Sequence, residues 1–109
     1  MDEFVRAVMV SWRAAGGEPD IGLDLPRWLE ELGFELTRVH PIIDVVTPKS
    51  YTWQWPKAFE QVGLDRLIDL GAVTPERART MAQEFAARDA DPHTLVINPA
   101  VLEIIAVRR

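Results

Sequence analysis

Residues 101–107 read Val-Leu-Glu-Ile-Ile-Ala-Val, a run nearly continuous in aliphatic side chains. A strand with one wet face carries polar residues at every second position. This one does not, so its pattern predicts a strand covered on both faces. A second extended stretch, residues 34–46, holds Phe34, Leu36, Val39, Ile42, Ile43, Val45 and Val46. Pro41 lies inside it and cannot donate to a ladder. That strand therefore belongs at a sheet edge or bulges at the proline.

The remainder reads mostly as helix. Phe4, Val5, Val8, Met9 and Trp12 make one apolar stripe over residues 2–15, with Asp2 as a cap and Gly16 and Gly17 as the stop. Asp24 as N-cap, Pro26 in the first turn and Gly33 past the end bracket a helix over residues 24–32. Leu25, Trp28, Leu29 and Leu32 form its face. Tyr51, Trp53 and Trp55 then alternate. A helical period returns over residues 56–70 through Phe59, Val62, Leu67 and Ile68, with a break expected near Gly63 and an end at Gly71. Thr74 and Pro75 open a further helix with Ala78, Met81, Ala82 and Phe85 on its apolar face. Residues 94–97 are a short extended piece.

The order is mixed α/β, with too few strands to close a sheet. At 109 residues, without repeat or linker, the chain is expected to be one domain. Its parts are a helical segment 1–33, a strand 34–46, a helical insertion 51–90 and terminal strands 94–107. The strands at about 34–46 and 101–107 are expected to pair antiparallel.

Charge and composition narrow the function. There are 17 acidic and 12 basic residues, a net charge of −5, and the basic ones are scattered. Phosphate binding relies on clustered Lys and Arg, so nucleic acid is not an expected partner. The absence of Cys excludes disulfides, a thiol nucleophile and Cys-ligated metal. No apolar run approaches the roughly 18 residues of a membrane span, and the acidic start is unlike a secretory signal. A cytoplasmic setting with no membrane partner is expected.

A longer pattern lies over most of the chain. Trp12, Gly16-Gly17-Glu18-Pro19-Asp20-Ile21-Gly22, Leu25-Pro26, Leu29 and Gly33-Phe34 precede the strand, and Pro99-Ala100-Val101-Leu102-Glu103-Ile104-Ile105-Ala106-Val107-Arg108-Arg109 closes the chain. This resembles the C-terminal portion of class I S-adenosylmethionine-dependent methyltransferases, which are Rossmann-like. The resemblance implies that a Leu-rich helix ending in Gly-Phe enters the sixth strand. It further implies a variable helical insertion next and a seventh, antiparallel strand that ends the domain. It implies a small-molecule acceptor and S-adenosylmethionine as the cofactor of the full-length family. In that family a Gly-rich turn after the first strand and an acidic residue after the second hold the cofactor. This sequence has neither, because Gly16-Gly17 follows a helix. No cofactor is therefore expected in this chain. A separate C-terminal piece, a truncated product and a stand-alone relative that has lost the cofactor half are all compatible with the sequence.

No catalytic set is evident. His40, beside Pro41, reads as structural or surface, and His93 as a loop or helix-end residue. Ser11 and Ser50 have no His nearby in sequence, and Asp20 and Asp24 are accounted for by turns and caps. Asp44 remains an acid or base without a partner. The clearest functional signal is aromatic. The resemblance makes Trp12, Tyr51, Trp53 and Trp55 candidates for an acceptor pocket. Two other roles are open to these rings, gluing the insertion to the sheet and forming an association surface.

The resemblance also places the last strand between a fifth and a sixth strand, and the fifth is missing. The segment 101–107 would then keep one neighbour and offer a bare edge to a second copy. Two functions are expected to compete. One is the substrate-side part of a small-molecule methyltransferase, inactive as this chain. The other is a small homodimeric interaction or ligand-binding module without catalysis.

Overall fold

The computed structural model describes residues 1–109. The elements in chain order are α1 (Asp2–Ala14), α2 (Leu25–Glu31), β1 (Phe34–Ile42), β2 (Val45–Val46), α3 (Gln54–Asp69), α4 (Pro75–Ala90), β3 (Val96–Ile97) and β4 (Val101–Arg108). Short 3-10 turns cover Ile21–Leu23 and Tyr51–Trp53. The fold is α/β, with four α-helices and two small antiparallel sheets.

β1 pairs with β4 from Phe34 opposite Arg108 to Ile42 opposite Val101. The ladder resumes with Val45 opposite Ile97 and Val46 opposite Val96. The Asn98 backbone N–H donates to the Asp44 carbonyl at 2.9 Å and carries the chain across the gap. The expected pairing of the two long strands is present, drawn out into one interrupted ribbon. Pro41 is accommodated because β1 has a single neighbour, β4. The irregularity falls between Leu36 and Arg38 instead of at the proline.

The two helices of the segment 1–33 have different neighbours. α1 packs on α3, whereas α2 packs on β1. Phe4 and Val8 of α1, Leu64 and Leu67 of α3, and Ala78 and Met81 of α4 form the main buried cluster. α3 runs unbroken through Gly63. This glycine is a contact, since a Cβ there would fall 2.6 Å from Cζ of Phe4. The buried face of α3 is Glu60, Leu64 and Leu67, spaced i, i+4, i+7. Val62, expected on that face, is 70% exposed. α4 begins as its sequence demands, with the Arg77 N–H donating to Oγ1 of Thr74 at 3.1 Å. Asp24 does not cap α2 with its side chain, which instead pairs with Arg27 at 3.6 Å.

A second cluster joins ribbon to helices. Val46, Trp53 and Phe85 are buried together, with Val96 against them. The alternation of Tyr51, Trp53 and Trp55 is not a strand. Tyr51 and Trp53 lie in a 3-10 turn, and Trp55 lies in the first turn of α3. That geometry turns Trp53 inward and leaves Tyr51 84% exposed.

The terminal strand departs most from expectation. It is not covered on both faces, and no β4 residue is buried. Register and alternation put Leu102, Ile104 and Ala106 on one face with Phe34 and Leu36, and these are half-buried. The opposite face carries Val101, Ile105 and Val107, each 46–47% exposed, among Arg38, Glu103 and Glu35. Arg38 pairs with Glu103 at 2.5 Å, and Arg109 pairs with Glu35. Both faces are aliphatic enough to be covered, and this chain covers one of them in part.

The consequence is an open shape. The radius of gyration is 17.2 Å over extents of 53 × 33 × 16 Å. A closed domain of this length has a radius near about 13 Å. Its accessible surface is 7838 Å², and a closed monomer of this mass exposes about 6,100 Å². The excess is about 1,700 Å², roughly twice what one partner contributes to a standard interface.

Candidate functional site

The candidates named from sequence do not converge. Trp53 is a core residue, 4% exposed, stacked on Phe85 with ring centroids 5.8 Å apart and planes 21° apart. Its Nε1–H donates to Oδ1 of Asp89 at 2.7 Å, and Lys57 donates to Oδ2 at 3.0 Å. These bonds, led by that from Lys57, hold the Asp89 carboxyl below its ordinary range. Asp89 therefore favours the fold above the ordinary carboxyl pKa, and that contribution is lost as pH falls through its lowered value. Trp12 packs edge-to-face on Phe59 and borders a hollow of about 190 Å³ beside Val8, Gly63 and Leu67. Tyr51 and Trp55 border neither that hollow nor the larger one described next. The four rings thus make no common pocket.

The other candidates serve local structure. The Ser11 hydroxyl donates to the Val8 carbonyl at 2.7 Å, and Ser50 Oγ accepts from the Thr47 N–H at 3.0 Å. Asp20 pairs with Arg13 at 2.9 Å, beside the Arg13–Glu18 pair at 3.1 Å. His40 lies on the exposed ribbon opposite Glu103. The His93 N–H closes a turn onto Asp91 Oδ1 at 2.9 Å. No group of three or more His, Cys, Asp or Glu is placed to hold a metal ion.

A groove of about 430 Å³ lies between α1, α3 and α4. Phe4, Phe59, Met81 and Phe85 give it apolar walls, and Glu60 of α3 borders it. Glu60 is 8% exposed, and its Oε1 is sealed from solvent without a hydrogen-bond partner. Burial, and then the nearby charge of Asp65, push its carboxyl above the ordinary value of 4.5. As pH rises from the ordinary value to the raised one, the unfolded chain loses its proton first, and the fold is weakened. Arg77 at the rim is taken up by Glu3, which accepts from Nε at 3.1 Å.

Sequence reasoning missed this site, although a signal existed. Glu60 occupies the apolar stripe of α3 with Leu64 and Leu67, where a charge has no structural reason to be. The stripe was traced instead through Val62, which faces solvent.

Glycines with positive φ are Gly16, Gly33 and Gly71, and each follows a helix. None forms the strand-to-helix turn that brings backbone N–H groups against a ligand. No helix is long and apolar enough to cross a membrane. Comparison with protein-family models, curated proteins and solved structures finds no match for this chain.

Proposed function

We propose that this chain is the substrate-side, C-terminal portion of a small-molecule S-adenosylmethionine-dependent methyltransferase of Rossmann-like fold, working in the cytoplasm. The observation that supports it best is the ribbon. α2 leads through Gly33 into β1, and β4 returns antiparallel beside it after a helical excursion. That is the order the resemblance implies for the last two strands. β4 has one hydrogen-bonded neighbour, and the rest of such a sheet would pair along its other edge. The excess of about 1,700 Å² over a closed monomer is what a covering layer of that kind would remove from water.

In this reading the cofactor is held by the other half, and this chain contributes acceptor binding and orientation. The coding sequence upstream of residue 1 tests it. An in-frame strand, a Gly-x-Gly turn and an acidic residue about 20 positions on are expected. An authentic start with no such segment overturns the reading, as does micromolar binding of S-adenosylmethionine by the isolated chain in calorimetry.

The half-exposed Val101, Ile105 and Val107 favour one alternative, a homodimeric module without catalysis that closes its ribbon against a second copy. Light scattering at micromolar concentration tests the dimer, and the upstream coding sequence separates the two readings. A particle of twice 12.3 kDa supports the dimer, and a stable 12.3 kDa monomer removes it.

A further inference from the structure

We propose that the groove between α1, α3 and α4 binds a small organic cation, whose ammonium group donates to the Glu60 carboxylate while its apolar body lies on Phe4, Phe59, Met81 and Phe85. This assignment does not depend on the methyltransferase reading.

Three observations carry it. The first is the unmet acceptor. Glu60 borders the groove, is 8% exposed and leaves Oε1 buried without a partner. Native folds rarely leave such an atom unpaired, because an unmade bond in a buried site is costly. Oε1 itself is closed to solvent, so a ligand donor would meet the carboxylate at its other oxygen and balance the charge that this burial leaves uncompensated.

The second is the wall. Four buried or half-buried apolar side chains line the groove with the acid, three of them aromatic. Phe4 and Phe59 meet edge-to-face with centroids 5.4 Å apart, so the ring faces and edges there are fixed. Ring faces attract cations, and the effect strengthens where water is excluded. The volume, about 430 Å³, lies in the range that holds small organic ligands.

The third is charge. Asp2, Glu3, Glu60 and Glu84 all border the groove. Against them stand Arg77 and Arg88, with the Met1 amino group at the mouth. Arg77 is occupied by Glu3 and lies 4.0 Å from Glu84. With Glu3 and Arg77 paired, Asp2, Glu60 and Glu84 face Arg88 and the Met1 amino group, so the groove keeps a net negative charge and an anion would meet the unpartnered Glu60 carboxylate. A cation meets complementary charge at the point that lacks a partner.

The probe is 2-phenylethylamine, with 2-phenylethanol as its neutral counterpart of the same shape. Each is titrated into the full chain by calorimetry and by shifts of the Phe ring resonances. Saturable amine binding is expected, with the alcohol weaker by at least about tenfold. Glu60→Gln keeps the shape, removes the charge and should bring the amine down to the level of the alcohol. Glu76→Gln, in the first turn of α4 and outside the groove, should leave amine binding unchanged. Thermal melting guards against a folding defect. Glu60→Gln should melt at or above the parent at neutral pH, because it removes an unpaired buried charge. Equal binding of amine and alcohol, undiminished amine binding in a folded Glu60→Gln protein, or no saturable binding overturns the proposal. None of these outcomes bears on whether a cofactor-binding half lies upstream.

Discussion

Trp53→Ala is expected to cost about 3–5 kcal/mol, the range for deleting a buried Trp or Phe side chain. Domains of this kind are stable by only about 5–15 kcal/mol in total, so the variant should be partly unfolded or melt at least about 12 °C lower. The size of the effect follows from position. Trp53 is 4% exposed and lies in the cluster that joins Val46 of the ribbon to Phe85 of α4. Its loss empties the joint between the sheet and the helical insertion. Trp53→Phe should lose less, because the stack on Phe85 is kept while the bond to Asp89 and part of the ring volume go. Asp89 would still accept from Lys57 at 3.0 Å. Chemical denaturation followed by circular dichroism measures both variants. A Trp53→Ala protein within about 1 kcal/mol of the parent would show that this ring is not a core residue. That result would restore its candidacy as a ligand-facing one.

Local signals were legible wherever one residue does one job. Thr74 and Pro75 start α4 as their chemistry requires, and Gly33 ends α2 with φ +88°. The apolar face of α4 was readable too, since Ala78, Met81 and Phe85 are its buried residues. Pro41 correctly pointed to a strand with few neighbours.

Where the sequence misled, a tertiary contact had changed the meaning of a residue. Gly63 reads as a helix breaker, yet α3 continues through it because the missing Cβ makes room for the Phe4 ring. No local rule carries that information. Tyr51, Trp53 and Trp55 alternate like a strand, but Ser50 and the start of α3 turn them into helical geometry, and one ring of the three is buried. The terminal strand is the most instructive case. Its composition says what the segment would bury, while coverage depends on what surrounds it. Ile105 and Val107 remain 47% exposed because this chain supplies one partial layer. Glu60 was the reverse: a charged letter in a helical stripe, legible only once the stripe is placed on Leu64 and Leu67 and not on Val62.

Leu67→Ala should be the second most damaging single change, at about 2–5 kcal/mol. Leu67 is 1% exposed and sits among Phe4, Val8, Leu64, Ala78 and Met81, contributed by three helices. Its backbone carbonyl also accepts from the Ala72 N–H at 3.0 Å, where α3 ends. Alanine keeps that bond, so the loss isolates the side chain. The new void would open into the existing hollow of about 190 Å³ that Leu67 shares with Trp12 and Phe59. Ser11 and Arg66 are the polar side chains of that hollow, and its other walls are mostly apolar, so water admitted there would find few partners. Leu67 and Trp53 belong to clusters with no buried member in common, although α4 contributes to both. Their separate costs should therefore add to within about 0.5 kcal/mol. The sum, at least about 5 kcal/mol, reaches the lower bound of total stability, so in a parent near that bound the double variant should be at least about half unfolded at room temperature. A double variant no worse than Trp53→Ala alone would mean that the helical cluster already opens when the joint is lost. A Leu67→Ala cost below about 1 kcal/mol would mean that α1, α3 and α4 do not share a packed core.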